Sequence, residues 1–166
     1  MKDKFYVFLD IDGVLNSQPF LREELKKRKL GKEITKLNPK NIDALNYLFK
    51  ELSKQNNIEL VISSSWRCNM PRTLQLLKEQ GVNLPTLPTK STMRDTYENS
   101  RGYEIYTYLT QVNEKNNFVI IDDEWFDFTN YFNKDNIIKT DFNGKGLTKT
   151  LVNTFLENLK SKQNQK

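Results

Sequence analysis

Residues 4–13 have the sequence KFYVFLDIDG, an apolar run that ends in two aspartates and a glycine. Aromatic and β-branched side chains dominate positions 5–9, without alternation between polar and apolar residues. This pattern is typical of a β-strand that is covered on both faces. Gly13 marks the turn that follows, because glycine enters tight turns at little steric cost. We therefore expect the chain to begin with a buried strand whose carboxyl end carries Asp10 and Asp12.

Strand and helix patterns alternate along the rest of the chain. Further apolar runs predict strands at residues 58–63 (IELVIS), 117–122 (NFVIID) and 136–140 (NIIKT), and an edge strand at 82–87 (VNLPTL). Apolar residues at helical spacing predict helices from Asn38-Pro39 to about residue 54, from Pro71 to Gly81, from about Ser100 to Val112 and from Leu147 to Leu159. Residues 89–100 are expected to form a loop. This alternation predicts a three-layer, Rossmann-like α/β fold with a mostly parallel central sheet.

The length of 166 residues predicts a single domain, which we place at residues 1–160, followed by a frayed C-terminal tail at 161–166. The amino terminus lacks the apolar core of a signal peptide, and no apolar run is long enough to cross a bilayer. We therefore expect a cytoplasmic protein with no membrane partner. The sequence does not indicate an oligomeric state.

The residue types in the chain restrict the chemistry that it can perform. It contains no histidine and one cysteine, Cys68. The usual zinc sites, Ser-His triads and Cys-His dyads are therefore excluded, as is an internal disulfide. Any catalysis must use carboxylates, hydroxyls, amines and a hard metal ion.

Polar residues end three of the predicted strands. Asp10 and Asp12 follow the first strand, Ser63 closes the second, and Asp122 and Asp123 close the strand at 117–122. Because the carboxyl ends of parallel strands meet at one edge of a sheet, these side chains are expected to converge. Clustered carboxylates would repel one another without a cation, and Mg²⁺ prefers oxygen ligands. The sequence therefore predicts a Mg²⁺ site at this edge.

Four segments resemble the motifs of the haloacid dehalogenase (HAD) superfamily, in the order of that family. They are FYVFLDIDGVLN at 5–16, LVISSSWR at 60–67, SRGYEIYTYL at 100–109 and VIIDDE at 119–124. The sequences DIDGVLN, SSSWR and RGxEI, together with Gly146-Leu147-Thr148, are most similar to those of small HAD proteins associated with RNA repair. The layout is also similar to the phosphatase half of phage polynucleotide kinase-phosphatases. The resemblance implies the HAD fold and phosphatase activity.

The resemblance also implies a role for each motif. Asp10 is expected to be the nucleophile that forms an aspartyl-phosphate, and Asp12 to protonate the leaving oxygen and then activate water. Ser63 is expected to hydrogen-bond the transferring phosphoryl group, and Ser64 takes its place if the strand end shifts by one residue. Gly13 allows the backbone to approach the phosphate.

Two arginines are further candidates for contact with phosphate. Arg101 lies where the family has the basic residue of its third motif, and it is expected to stabilise charge on the phosphoryl group. Lys90 and Arg94 compete for this role. Arg67 either binds a substrate phosphate or pairs with a surface acid.

The metal that the resemblance implies is Mg²⁺. Its expected ligands are Asp10, the backbone carbonyl of Asp12, Asp122 and Asp123, with Asp123 acting directly or through water. The two aspartates of the first motif also favour phosphoryl transfer to water over dehalogenation, because a dehalogenase nucleophile does not need a second acid.

The spacing of the motifs leaves no room for a full cap domain. Residues 17–40 are instead expected to form a basic flap or minimal cap, since residues 21–40 contain eight basic and three acidic residues and so account for the net charge of +5. An open site admits large substrates, and a positive flap attracts polyanions. The predicted partner is a phosphorylated substrate, with the end of a nucleic acid as the leading candidate.

The predicted function is a Mg²⁺-dependent phosphatase that acts on a terminal phosphate of a nucleic acid or nucleotide. Two alternatives remain at this point: a small-metabolite phosphatase of the same superfamily, and a basic nucleic-acid-binding module without enzymatic activity. A phospho-accepting receiver domain would place its acidic pair after the first strand, whereas here the acidic pair comes last.

Overall fold

The computed structural model describes residues 2–94 and 100–163. Its centre is a five-stranded sheet in the order β3-β2-β1-β4-β5, and all four pairings are parallel. The strands are β1 (Asp3–Leu9), β2 (Asn56–Ile62), β3 (Lys90–Ser91), β4 (Phe118–Asp122) and β5 (Ile137–Lys139). The predicted parallel α/β fold is confirmed.

The described residues contain five α-helices. They are α1 (Gln18–Lys29), α2 (Pro39–Ser53), α3 (Met70–Glu79), α4 (Arg101–Gln111) and α5 (Lys149–Gln163). Short 3-10 helices lie at Ser65–Asn69, Phe128–Asn130 and Lys134–Asn136. None of the helices in the described ranges is long and apolar enough to cross a membrane.

β1 lies in the middle of the sheet and is covered on both faces, which explains its unbroken apolar run. Phe5, Val7 and Leu9 pack into a cluster with apolar residues of α2, α3 and α5. Tyr6 and Phe8 point to the opposite face, where they pack with residues of α4. Successive side chains of a strand point to opposite faces, so one strand contributes to both cores.

The edge strand was predicted in the wrong place. Residues 82–87 form no strand, and the edge strand is β3, inside the predicted loop at 89–100. Pro85 and Pro88 have no N–H to donate to a neighbouring strand, whereas Lys90 and Ser91 pair with the end of β2. Residues 95–99 of the predicted loop lie outside the described residues.

The last helix continues past its predicted end at Leu159. α5 extends through Gln163, so residues 161–163 of the predicted tail are helical, and 164–166 lie outside the described residues. The connection from β1 to α2, residues 10–38, contains α1 and otherwise loops and turns. α1 begins six residues after Asp12, in the segment predicted to be a basic flap.

Candidate active site

The carboxyl ends of β1, β2 and β4 bring the predicted site residues to one edge of the sheet. The Asp10 N–H donates to the Ile121 carbonyl (3.0 Å), and the Ser63 N–H donates to the Leu9 carbonyl (3.0 Å). These bonds continue the ladders on both sides of β1. Asp10 therefore lies between the end of β2 and the end of β4.

Three carboxylates form a cluster at this edge. One oxygen each from Asp10, Asp122 and Asp123 lies within 4.8 Å of the others. Asp122 is fully buried and Asp10 is 6% exposed, whereas Asp123 is half-buried. The sequence-based expectation that these three residues converge is confirmed for the residues that the structure describes.

Burial raises the free energy that is needed to ionise the carboxyl groups of the cluster. Burial, and then the charge of Asp10, raise the pKa of Asp122 to about 7. Burial, and then the charges of Asp10 and Glu124, raise the pKa of Asp123 to about 6. Burial also raises the pKa of Asp10, although Arg101 opposes this shift. The negative charge of the three carboxylates is therefore only partly neutralised by the cations around them.

Arg101, the first residue of α4, contacts two of the three carboxylates. Its Nη1 lies 2.7 Å from Asp122 Oδ2 and 3.2 Å from Asp10 Oδ1. The ring of Phe126 packs against its guanidinium, with 4.5 Å between Cζ and the ring centroid. Arg101 therefore restrains Asp10 and presents a fixed positive charge to it.

The two competing basic residues lie elsewhere. Lys90 Nζ is 3.4 Å from Glu59 Oε1 on the neighbouring strand β2. Arg94 is exposed and lines a separate cavity with Tyr103. Of the three candidates, the structure brings Arg101 to the carboxylate cluster.

Asp127 fixes the position of Arg101 from a distance in the sequence. Its carboxylate accepts the N–H groups of Gly102 (2.5 Å) and Tyr103 (3.1 Å), in the first turn of α4. A Cβ on Gly102 would lie 2.6 Å from Asp127 Oδ1, so this approach requires glycine. Asp127 was not predicted as a site residue, and the glycine directly after Arg101 is the one feature of the sequence that could have pointed to it.

The Asp12 carboxylate stands apart from the three-aspartate cluster. It accepts hydrogen bonds from Trp66 Nε1 (2.7 Å) and Asn16 Nδ2 (2.8 Å), and the residue is exposed. Asn16 Oδ1 in turn accepts the Gly13 N–H (3.0 Å). Asp12 is thereby oriented by two donors while it remains accessible to a ligand. Sequence reasoning assigned no such role to Trp66 or Asn16.

Gly13 occupies a position where no other residue fits. Its φ is +78°, and an added Cβ would lie 2.6 Å from the Cβ of Asp123. The Thr140 hydroxyl donates to the Gly13 carbonyl (2.8 Å), which ties the turn to the end of β5. The glycine therefore lets Asp123 reach the cluster.

The two serines after β2 have different surroundings. Ser63 is fully buried, and its hydroxyl has no hydrogen-bond partner among the described residues. Ser64 lies close enough to Asp10 to oppose the rise in the pKa of its carboxyl, and the Ser64 hydroxyl accepts the Trp66 N–H (3.3 Å). Ser64 thus lies beside the predicted nucleophile, and the neighbouring Ser63 keeps a hydroxyl without a partner among the described residues.

Arg67 pairs with a buried acid rather than a surface acid. Its Nη2 lies 2.9 Å from Glu104 Oε1, and both side chains are at most 10% exposed. Its Nη1 donates to the Ser63 carbonyl (2.8 Å) and to Thr92 Oγ1 (3.1 Å). These contacts tie β2 to the residues after β3 and to α4. Contact between Arg67 and a substrate stays a prediction.

The comparisons with known proteins agree with this arrangement. Residues 6–152 match the family described as the HAD domain in Swiss Army Knife RNA repair proteins. The chain belongs to this family. No curated protein and no solved structure matches the chain. The predicted resemblance to HAD domains of RNA-repair proteins is confirmed, and membership in the family indicates phosphatase activity of the HAD type.

The carboxylate cluster of this HAD domain fits a hard divalent cation. Asp10, Asp122 and Asp123 offer oxygen ligands, which Mg²⁺ prefers, and their raised pKa values indicate a site that a cation would stabilise. Arg101 supplies one positive charge against three carboxylates. The side chain of Asp12 points to Trp66 and Asn16, so Asp12 reaches the same ion through its backbone carbonyl if it is a ligand.

Proposed function

We propose that this HAD domain is a Mg²⁺-dependent phosphatase that removes a terminal phosphate from a nucleic acid through an aspartyl-phosphate on Asp10. The observation that carries the proposal is the contrast between its two neighbouring aspartates. Asp10 is buried against Arg101, while Asp12 is accessible and held by two donors. A nucleophile and a separate acid and base need these two environments.

In the first step, an Asp10 carboxylate oxygen attacks phosphorus and forms a new oxygen–phosphorus bond. The bond between phosphorus and the leaving oxygen breaks, and that oxygen takes its electron pair. The protonated Asp12 carboxyl donates its proton to this oxygen, so that an alcohol leaves. The hydrogen bonds from Trp66 and Asn16 hold Asp12 in place for this transfer.

In the second step, water attacks the phosphorus of the aspartyl-phosphate. Asp12, now a carboxylate, accepts a proton from this water, and the bond between phosphorus and Asp10 breaks. Phosphate leaves, and both aspartates return to their starting states. One residue acts first as acid and then as base, which splits hydrolysis into two easier steps.

Fixed polar groups stabilise charge on the transferring phosphoryl group. Arg101 contributes a guanidinium, and the buried Ser63 hydroxyl has hydrogen-bonding capacity that the described residues do not use. Mg²⁺ held by Asp10, Asp122 and Asp123 would supply positive charge that reduces the electrostatic repulsion between the phosphate and the Asp10 carboxylate.

Two observations support a nucleic-acid substrate. The matched family is described by its occurrence in RNA-repair proteins. In the basic segment at residues 21–40, Lys26 pairs with Glu23 and Lys27 with Glu24, and its other six cations have no ion-pair partner among the described residues. These charges would attract a polyanion in a salt-dependent manner.

Phosphate release tests the proposal directly. We would compare a 3′-phosphorylated oligonucleotide with a mononucleotide, at two salt concentrations, with Mg²⁺ or EDTA. The wild type should prefer the oligonucleotide at low salt, and EDTA should abolish turnover. Asp10→Asn should reduce turnover by at least a thousandfold while the protein stays folded.

Asp3→Asn is the matched control, because Asp3 is exposed at the opposite end of β1. This variant should retain wild-type rates. Turnover that survives Asp10→Asn would rule out the aspartyl-phosphate. Equal rates on both substrates at both salt concentrations would rule out the polynucleotide preference.

A further inference from the structure

Trp125 is exposed directly beside the acidic cluster, although a large aromatic side chain is normally buried. It follows Asp122 and Asp123 by two to three residues and is 42% exposed. The two residues that follow it contact other parts of the protein. Phe126 packs on Arg101, and Asp127 binds the first turn of α4. Trp125 is the aromatic side chain of this segment that the fold leaves facing solvent.

A strained backbone accompanies this arrangement. Phe126 has a φ of +41°, in the left-handed region that a bulky side chain rarely adopts. Phe126 packs against Arg101 while the preceding residue, Trp125, remains in solvent. Strain of this kind persists where the surrounding structure enforces it, and it is concentrated at functional sites.

Two lysines flank the Trp125 ring. Lys134 Nζ lies 5.6 Å and Lys139 Nζ 5.9 Å from the ring centroid. Lys139 also donates to the backbone carbonyl of Asp123 and to that of Thr140 (2.9 Å). The ring and the two ammonium groups therefore form one surface, which Lys139 connects to Asp123 of the acidic cluster.

Apart from the three aspartates of the cluster, whose charge a bound Mg²⁺ would offset, the acidic groups near this surface are few or already engaged. Asp135 pairs with Lys162 (3.2 Å), and Asp127 is bound to the N–H groups of α4. Glu124 is exposed and contributes one negative charge. The two lysines outweigh this charge, so the ring lies in surroundings that suit an anion.

The exposed aromatic residues of the described chain all belong to two segments, around the start of α4 and after β4. Besides Trp125 they are Tyr103, Tyr106 and Tyr131. The Tyr131 ring centroid lies 5.2 Å from that of Tyr106 and 6.1 Å from that of Tyr103. The tyrosines pack on one another, whereas Trp125 is the exposed ring that is flanked by cations.

We propose that Trp125 is a stacking platform for an unpaired nucleobase at the end of a single-stranded nucleic acid, with Lys134 and Lys139 beside its phosphodiesters. This inference rests on the proposed function, because the terminal phosphate of the same strand would occupy the site at Asp10. Stacking on an aromatic ring tolerates every base, and nearby cations neutralise the backbone. The platform thus selects strand ends without selecting sequence.

Binding tests the platform independently of turnover. In an Asp10→Asn background, fluorescence anisotropy would measure the dissociation constant of a labelled single-stranded RNA with a 3′-phosphate. Adding Trp125→Ala should weaken binding by about five- to a hundredfold, the range that loss of one stacked base produces. Trp125→Phe keeps an aromatic face and should restore most of the affinity. Tyr106→Ala removes an exposed ring away from the lysines and should change affinity by less than about twofold.

Three binding results would overturn the inference. The first is that Trp125→Ala binds as the Asp10→Asn parent does, and the second is that Tyr106→Ala weakens binding as much as Trp125→Ala. Equal affinity for a blunt-ended duplex would overturn the single-stranded preference. The same binding measurement with 5′-phosphorylated RNA and with single-stranded DNA identifies the preferred strand end and the preferred sugar.

Turnover separates this inference from the proposed function. Trp125→Ala should lower kcat/KM for the oligonucleotide by a larger factor than kcat/KM for β-glycerophosphate, which has no base to stack. A wild type that hydrolyses neither substrate would contradict the proposed function and leave the binding result standing. A wild type that is active, with Trp125→Ala unchanged on both substrates, would contradict the platform alone.

Discussion

Two groups of side chains at the carboxyl edge of the sheet bury charge, one after β2 and one at the ends of β1 and β4, and they balance it differently. After β2, Arg67 pairs with Glu104, one positive against one negative charge. At the ends of β1 and β4, three carboxylates face the single guanidinium of Arg101. Both arrangements lie at the same edge of the sheet, and both involve α4.

The difference separates a structural pair from a binding site. A buried pair of equal and opposite charges is complete within the protein, although desolvation limits what it adds to stability. An excess of buried negative charge is incomplete, and it stabilises whichever cation binds there. We therefore expect Arg67 to stabilise the fold and the aspartates to carry the chemistry.

The largest effect is expected from breaking the balanced pair. Arg67→Met leaves Glu104 buried without its arginine, and removing one partner of such a pair costs about 3 to 5 kcal/mol. Chemical denaturation would measure this loss in the free energy of unfolding. The double variant Arg67→Met/Glu104→Leu should recover most of the loss, because apolar side chains of similar volume then replace the buried ion pair.

A loss below about 1 kcal/mol in the single variant would show that the pair is not structural. Such a result would return Arg67 to the substrate-binding role that the sequence also allowed.

A smaller effect, on activity rather than stability, is expected from Trp66→Phe. This change keeps the ring but removes the Nε1 donor that holds Asp12. An intramolecular hydrogen bond contributes about 0.5 to 1.5 kcal/mol, so kcat/KM should fall by about two- to tenfold. The free energy of unfolding should change by less than about 1 kcal/mol. An unchanged kcat/KM would contradict the role given to Asp12.

The smallest effect is a pH dependence of stabilisation by Mg²⁺. Because the pKa values of Asp122 and Asp123 are raised to about 7 and 6, the folded protein binds more protons than the unfolded chain between about pH 4 and 7. The metal-free protein should therefore lose stability as pH rises through this window. Mg²⁺ competes with these protons, so its increase in Tm should be about 2 to 6 °C larger at pH 8 than at pH 5.

Asp122→Asn is the control for this experiment. It removes one buried charge, so it should raise the Tm of the metal-free protein at pH 8 and reduce the response to Mg²⁺. An equal Mg²⁺ response at both pH values in the wild type would contradict a cation site built from these carboxylates.

Sequence patterns predicted the parts of the fold that depend on local composition. The buried runs of β1, β2 and β4 are apolar throughout because both faces are covered, and residues at their carboxyl ends could be predicted to converge. β3 has two residues, too few for any pattern, and it was missed.

The supporting contacts of the site could not be predicted in the same way. The bond from Trp66 to Asp12 spans 54 positions in the chain, and the bond from Gly102 to Asp127 spans 25. Such contacts depend on where helices and turns lie after folding, so they cannot be predicted from local sequence periodicity. The same holds for Arg67, whose buried partner lies 37 residues away.

The central claim is that Asp10 becomes phosphorylated during turnover, and trapping this intermediate tests it most directly. The wild type would be mixed with a phosphorylated oligonucleotide and Mg²⁺, quenched in acid within milliseconds, and digested for mass spectrometry. We expect a phosphate on the peptide that contains Asp10. This phosphate should be absent from Asp10→Asn, and it should be lost on longer incubation before the quench. Phosphate release by the wild type at full rate with no phosphorylated Asp10, or with the phosphate on another residue, would contradict it.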